Sequence, residues 1–555
     1  MVKANIAFIL ALVLLLTIQP AVPQQESATI RVSTRLVQIS VTVHDKTGPV
    51  SNLKKSDFTI FDQGKLRSVS LFSMTSAEAQ VRQAPPLPPN TFSNYIEHHA
   101  SRPSTVTVIL FDTLNTPAEN QIYARQELLK FMKELQPQDR IALYTLSKKL
   151  NILLDFTADA GEITRTLDRF RGAQSFELEA AAKTGASEAG LLPASQGIGS
   201  NAVINGDLDV AAQMESDFYT ESRVRMTAQA LEAIANHVAR LPGRKNLVWV
   251  SAAFPMALNM NVINPLLQRH DFSTELRRAV RAVNEANMAI YPVDARGLIG
   301  FSSFEGTRTG PTTSPALFPQ RRPAETSSPT DHFPEGIEAM NELAGRTGGR
   351  AFYNSMDLKG AVRKALQDSD LTYTLGFYPD PNSLDNKFHD IKVEVNRKGL
   401  DVRYRKGYFA FSDEAHSDQQ RREELADALW SPLDATAIPL IMRLERVDQP
   451  EPNLLRAYLA ADIRSLTLEQ KDNHWIGGAD VLLIQQDKTG KIIDSSLQAM
   501  NLDLDKANYE KILKTGMPLG KYLRPKAGLV NVRAIVLDRA SGKVGSLIVP
   551  VSQVH

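Results

Sequence analysis

The chain has 555 residues, of which 43% are hydrophobic and 23% charged. That length exceeds a single hydrophobic core and predicts about three or four domains. Lys and Arg number 63 against 62 Asp and Glu, a formal net charge of +1, and there is no cysteine. The charge balance lacks the basic excess of a nucleic-acid binder. The missing thiols exclude disulfides, thiolate zinc sites, cysteine nucleophiles and a lipoprotein anchor.

Lys3 precedes an apolar run from Ile6 to Ile18, which breaks at Gln19-Pro20-Ala21. A positive start, a short apolar core and a breaker predict a secretory signal peptide over residues 1–24. The run falls short of the roughly 20 residues a membrane span needs. An uncleaved N-terminal anchor is the alternative. The expected location is secreted or periplasmic, with no membrane insertion after signal removal.

Residues 28–75 alternate apolar and polar side chains, with Val37, Ile39, Val41 and Val43 on one face and turns at Asp45–Gly48 and Asp62-Gln63-Gly64. They predict a β-rich N-terminal unit. Residues 76–103 hold APPLPP and SRPS and read as a linker.

Residues 104–370 alternate apolar strands with amphipathic helices. Expected in order are a strand over 104–112, a helix over 117–135, a hairpin of 141–146 and 150–156, and helices at 160–170 and 222–241. A strand over 246–252, a helix over 273–287 and a strand over 288–294 follow. A helix over 335–347, a strand over 350–354 and a helix over 357–370 end the series. This pattern predicts an α/β fold, a doubly wound mainly parallel sheet with helices on both faces. Two long loops, 171–221 and 297–334, interrupt it.

Residues 371–411 return to strands, a β extension expected to pack with 28–75 as one sandwich around the inserted α/β domain. After a short helix over 416–430, residues 434–555 predict a C-terminal β-sandwich domain. The turns at Asp45, Asp487 and Asp538 read as hairpin chemistry. Lone carboxylates do not supply the six or more oxygens of a calcium site.

Ligands of an open parallel sheet bind beyond the carboxyl ends of its strands. The residues found there are Asp112 with Thr113-Leu114-Asn115-Thr116, then Ser251, then Asp294 and Arg296.

The segments VILFDTLNT, LLDFT, RKNLVWVSAAFP, IYPVDARGL, LGFYPD and GLDVRYRKGYFA, in this order, resemble bacterial proteins related to von Willebrand factor A. The resemblance spans residues 30–411. It implies a magnesium site written Asp-x-Ser-x-Ser, completed by a Thr and an Asp from later loops and closed by a partner's acidic side chain. Asp112 matches the first Asp, Thr116 stands in for the second Ser, and Asn115 offers an oxygen at a shifted position. Leu114 replaces the first Ser, and Ser251 stands where the later Asp is expected. The later Thr falls inside 171–221, and Thr157 is expected at the wrong end of the sheet. The implied Mg2+ site at Asp112, Asn115 and Thr116 is therefore degenerate. Ordinary structure offers a competing account. Thr116 and Glu119 fit a capping box, and Asp112 suits backbone N–H groups near a helix start.

No nucleophile elbow, phosphate-binding loop or His-Glu-x-x-His motif is present, and no residue is assigned a catalytic role. The expectation is a protein without enzymatic activity, adhesion-like or scaffolding, that binds another protein at the Asp112 edge. A structural envelope component built from β-sandwich units and a hydrolase are the alternatives.

Overall fold

A computed structural model describes residues 36–76, 86–95, 106–180, 201–254, 273–297 and 333–555, apart from 137–138, 173, 242–243, 356, 369, 381–382, 386, 411–415 and 450. The expected signal peptide, residues 1–24, and most of the 297–334 loop lie outside the described residues.

The strands run β1 (Val37–His44), β2 (Phe58–Asp62), β3 (Lys65–Arg67), β4 (Leu71–Ser76) and β5 (Thr91–Ser93). Next come β6 (Val106–Asp112), β7 (Ile141–Leu146), β8 (Leu150–Thr157), β9 (Lys245–Ser251) and β10 (Met288–Asp294). These last five form one mixed sheet in the order β10-β9-β6-β7-β8. Its neighbours are parallel except β7 and β8, the hairpin.

Every residue of β6, β9 and β10 is buried, as expected of strands covered on both faces. Val108 and Leu110 share a core with Leu231 and Ile234 of the Asn201–Val238 helix and Ala279 of the Ser273–Glu285 helix. Ile109 and Phe111 face the opposite way, onto Leu128 and Phe131 of the Ala118–Met132 helix and Val362 of the Leu358–Gln367 helix. The period of two thus feeds two cores from one strand.

Two segments differ from the expectation. Residues 201–221, read as loop, form the first half of the Asn201–Val238 helix. Leu208, Ala211, Ala212, Gln213, Met214 and Glu215 within it are helix formers. The expected strand over 350–354 reduces to one parallel bridge between Phe352 and Val293. Gly348, at φ 81°, and Asn354, at φ 50°, bound it too closely for a longer ladder.

The chain before and after this sheet meets in a single core. Strands β11 (Leu371–Phe377), β12 (Phe388–Val395), β13 (Asp401–Arg403) and β14 (Gly407–Phe409) complete two sheets, β13-β1-β11-β4 and β14-β12-β2-β3. Val41 and Tyr373 from one sheet and Ile60 and Val393 from the other share that core.

The remaining strands are β15 (Leu440–Val447), β16 (Leu454–Ala461), β17 (Glu469–Lys471), β18 (His474–Gln486), β19 (Ile492–Leu504), β20 (Met517–Leu523), β21 (Asn531–Asp538) and β22 (Val544–Pro550). They build the sheets β20-β16-β15-β5 and β17-β18-β21-β22, with β19 against β18. Here the linker reading of 76–103 needs correction, because β5 pairs with β15. Asn94 fixes the segment. Its Nδ2 donates to the carbonyls of Ala435 (2.7 Å) and Ile438 (3.0 Å), and its Oδ1 accepts from the Leu440 N–H (2.7 Å). A three-residue strand beside a proline run carries no periodicity that a sequence reading detects.

The turns at Asp45 and Asp487 are closed by their own chemistry. Each Asp Oδ1 accepts from the backbone N–H and the hydroxyl of the Thr two residues on. Among the described residues, no group of three or more His, Asp or Glu is placed to hold a metal, and no helix is long and apolar enough to cross a membrane.

The α/β and C-terminal units meet at His237, whose Nδ1 lies 2.7 Å from the Asp434 carbonyl. Burial alone would lower the His237 pKa. Its ion pair with Asp155, 3.9 Å away, and the Asp434 contact outweigh burial and raise it above 6.5. A raised histidine pKa gives stability that is present below the unfolded value and is lost as pH rises through the folded value. Urea unfolding against pH is therefore expected to show a loss of stability as pH rises above 6.5. His237→Gln is expected to remove that loss. An unchanged pH profile in the variant would contradict the assignment.

Candidate functional site

β6 ends at Asp112, β9 at Ser251 and β10 at Asp294. The parallel register sets Asp294 beside Ser251 and Phe111 beside Val250, so the three ends share one edge. Thr157 pairs with Ile141 and lies at the opposite edge.

Asp112 is 1% exposed. Its Oδ1 accepts from the Asn115 N–H (3.0 Å). Its Oδ2 accepts from Asn115 Nδ2 (2.8 Å), Trp249 Nε1 (3.0 Å) and the Ser251 hydroxyl (3.0 Å). Burial pushes its carboxyl pKa up, and the four donors oppose that rise without cancelling it.

Asn115 is the hub of the cluster. Its Oδ1 accepts from Arg223 Nε (2.9 Å), and its Nδ2 also donates to Thr227 Oγ1 (3.1 Å). Arg223 and Thr227 lie one turn apart on the Asn201–Val238 helix and are both buried. Sequence reasoning missed them. The available signal was an arginine and a threonine at i and i+4 within a stretch that otherwise supplies Val224, Ala228 and Leu231 to the interior. Trp249 was read only as a strand residue.

Thr116 Oγ1 accepts from the Ala252 N–H (3.1 Å) and ties the first loop to the second. This corrects the capping-box account. The helix starts at Ala118 behind Pro117, so Thr116 lies one residue too early to cap, and no side chain caps the helix. Leu114 is buried in the core and packs beneath the loop. Asp294 and Arg296 form an ion pair. Asp294 Oδ1 accepts from the Arg296 N–H and Nε (both 2.9 Å), and its Oδ2 from the terminal guanidinium nitrogen (2.8 Å). No hydrogen bond among the described residues joins that pair to Asp112.

Mg2+ requires about six oxygens in an octahedron. Both Asp112 oxygens, the Asn115 side-chain oxygen and the Thr116 hydroxyl are already engaged by protein donors, and the Arg223 cation is bonded to Asn115. Leu114 contributes no donor. These residues do not fit a magnesium ion. Ser251, whose hydroxyl donates to the Asp112 carboxylate, is fully buried with it.

No family model matches the chain, and no curated protein matches it. Solved structures do align with it. An aerotolerance-related membrane protein from Bacteroides fragilis aligns at 13% identity over 48% of this chain and 97% of its own, with a TM-score of 0.22. A minor pilin from Streptococcus sanguinis aligns at 10% identity over 48% of this chain and 62% of its own, with a TM-score of 0.23. A von Willebrand factor type A protein from Catenulispora acidiphila aligns at 6% identity over 86% of this chain and 71% of its own, with a TM-score of 0.22. These alignments are loose. The mixed α/β architecture rests instead on the strand order and the two cores.

Proposed function

We propose that the chain is an exported adhesion-like or scaffolding protein, whose von Willebrand factor A-like domain binds another protein without a metal ion. The Asn115 amide carries this reading. Its Nδ2 lies between Asp112 Oδ2 and Thr227 Oγ1 and donates to both. These are the residue types that, in the resembling family, meet around the ion. A neutral amide, backed by the Arg223 guanidinium, takes over the ion's structural task and links the loops with hydrogen bonds. The edge is then set without an exchangeable cation, and a partner's carboxylate has no metal to complete.

The mature chain, immobilised and exposed to an envelope extract in EDTA, is expected to retain a discrete protein whose yield added Mg2+ does not change. Retention only in Mg2+ would overturn the metal-free reading. Turnover in a hydrolase screen would overturn the binding reading.

A further inference from the structure

The amino edge of the central sheet, opposite Asp112, opens on a cavity of about 650 Å3 where all three structural units meet. That volume is typical of small-molecule sites. The α/β domain contributes Arg240, Lys245 and Asn284, the N-terminal sandwich contributes Arg405, and the C-terminal unit contributes Lys543 and Trp475. Arg464 adds another cation, and Glu285 is the lining carboxylate among the described residues.

Two of these cations are buried and lack an acid. Lys245 opens β9, is 7% exposed, and its side chain makes no hydrogen bond or ion pair among the described residues. Arg405 is 6% exposed. It bonds Asn284 through one terminal nitrogen and, among the described residues, has no ion pair and no partner for its buried Nε. Both belong to one end of the sheet. Lys245 pairs in register with Met288, and Asn284, which holds Arg405, ends the preceding helix.

An isolated buried cation costs several kcal/mol unless a partner compensates it. Two of them facing one cavity describe half of an ion-pair arrangement whose other half is not supplied by the described chain. The rest of the lining mixes polar side chains, among them Gln38, Asn236 and Gln470, with one aromatic and aliphatic patch. Trp475 stacks on Tyr509 with ring centroids 4.4 Å apart and planes 3° from parallel, and Leu466, Leu468 and Ile463 lie nearby.

We infer that this cavity binds a small organic oxyanion, a carboxylate or phosphate head against Lys245 and Arg405 with an apolar body toward Trp475. The ligand joins the three units at once and stabilises their arrangement by mass action. Burial lowers the Lys245 pKa to about 8, so the cation prevails at neutral pH and binding weakens above pH 8.

The test is thermal unfolding of the full mature chain with inorganic phosphate, benzoate, phenyl phosphate and, as an uncharged control, benzamide. At least one anion is expected to raise the melting temperature saturably, while benzamide does not. Lys245→Met and Arg405→Met are each expected to weaken that anion at least tenfold. Lys245→Met melts no lower than wild type without ligand, since it removes an unpaired buried charge. Lys148→Met, remote from the cavity, is expected to leave binding unchanged. Absence of saturable stabilisation by every anion, or equal stabilisation in both cavity variants, would overturn the inference. None of these outcomes depends on what the Asp112 edge binds.

Discussion

Asp112→Ala is expected to destabilise the α/β domain by about 3–5 kcal/mol, the cost of removing one partner from a buried charged network. The carboxylate accepts from four donors contributed by its own loop and by β9. Alanine removes the acceptor of the Trp249 indole and of Asn115, while Ser251 keeps the Ala253 carbonyl, and it leaves the Arg223 cation beside Asn115 with only the charge of Glu177. Urea unfolding followed by far-ultraviolet circular dichroism would measure the loss. The effect also has a pH signature. A carboxyl whose folded pKa is raised above 3.8 gives stability that is present at acid pH and is lost as pH rises through the folded value. The gap between wild type and variant therefore widens toward acid pH. A loss below about 1 kcal/mol, the level of an ordinary surface change, would remove Asp112 from the centre of the edge.

Gly349→Ala is expected to cost about 3 kcal/mol or more, at the upper end of overpacking penalties. A Cβ at Gly349 would lie 1.9 Å from the Ile290 carbonyl oxygen and 2.7 Å from its carbonyl carbon. Ile290 belongs to β10, which is paired along its length with β9, so that backbone has no room to yield. The site also joins two units. The preceding Gly348 carbonyl accepts from Arg244 (2.5 Å), and the Lys406 N–H donates to Gly345 O (3.0 Å). Gly399→Ala is the control. Gly399 has φ +78° but nothing within 4 Å, so its substitution should cost only backbone strain of about 1 kcal/mol. Equal urea midpoints for the two variants would contradict the close approach at Gly349.

The strands of the central sheet were legible because burial on both faces demands unbroken apolar runs, as in Val106–Asp112 and Met288–Asp294. The Asp112 loop was legible for the same reason, since strand ends define the edge. The closing partners were not. Arg223 and Thr227 come from a helix more than 100 residues later in the chain, and their approach depends on helix packing that local spacing does not encode. Thr116 was misread because its sequence neighbourhood fits a cap while its hydroxyl serves Ala252 across the edge. β5 was hidden because its three residues gain their meaning only from β15. The Lys245 side chain was invisible in sequence, because it stands just before the strand expected over 246–252 and its burial comes from the packing of distant segments.

The most direct test of the central claim is calorimetric and thermal titration of the mature wild-type chain, stripped with chelator, with Mg2+, Ca2+ and Mn2+. The Asn115 amide and Arg223 already occupy the ligand atoms of the loop. The predicted result is no saturable heat and no melting shift that depends on the identity of the ion. Saturable Mg2+ binding that stabilises the wild type and disappears in Asp112→Ala would contradict the metal-free edge.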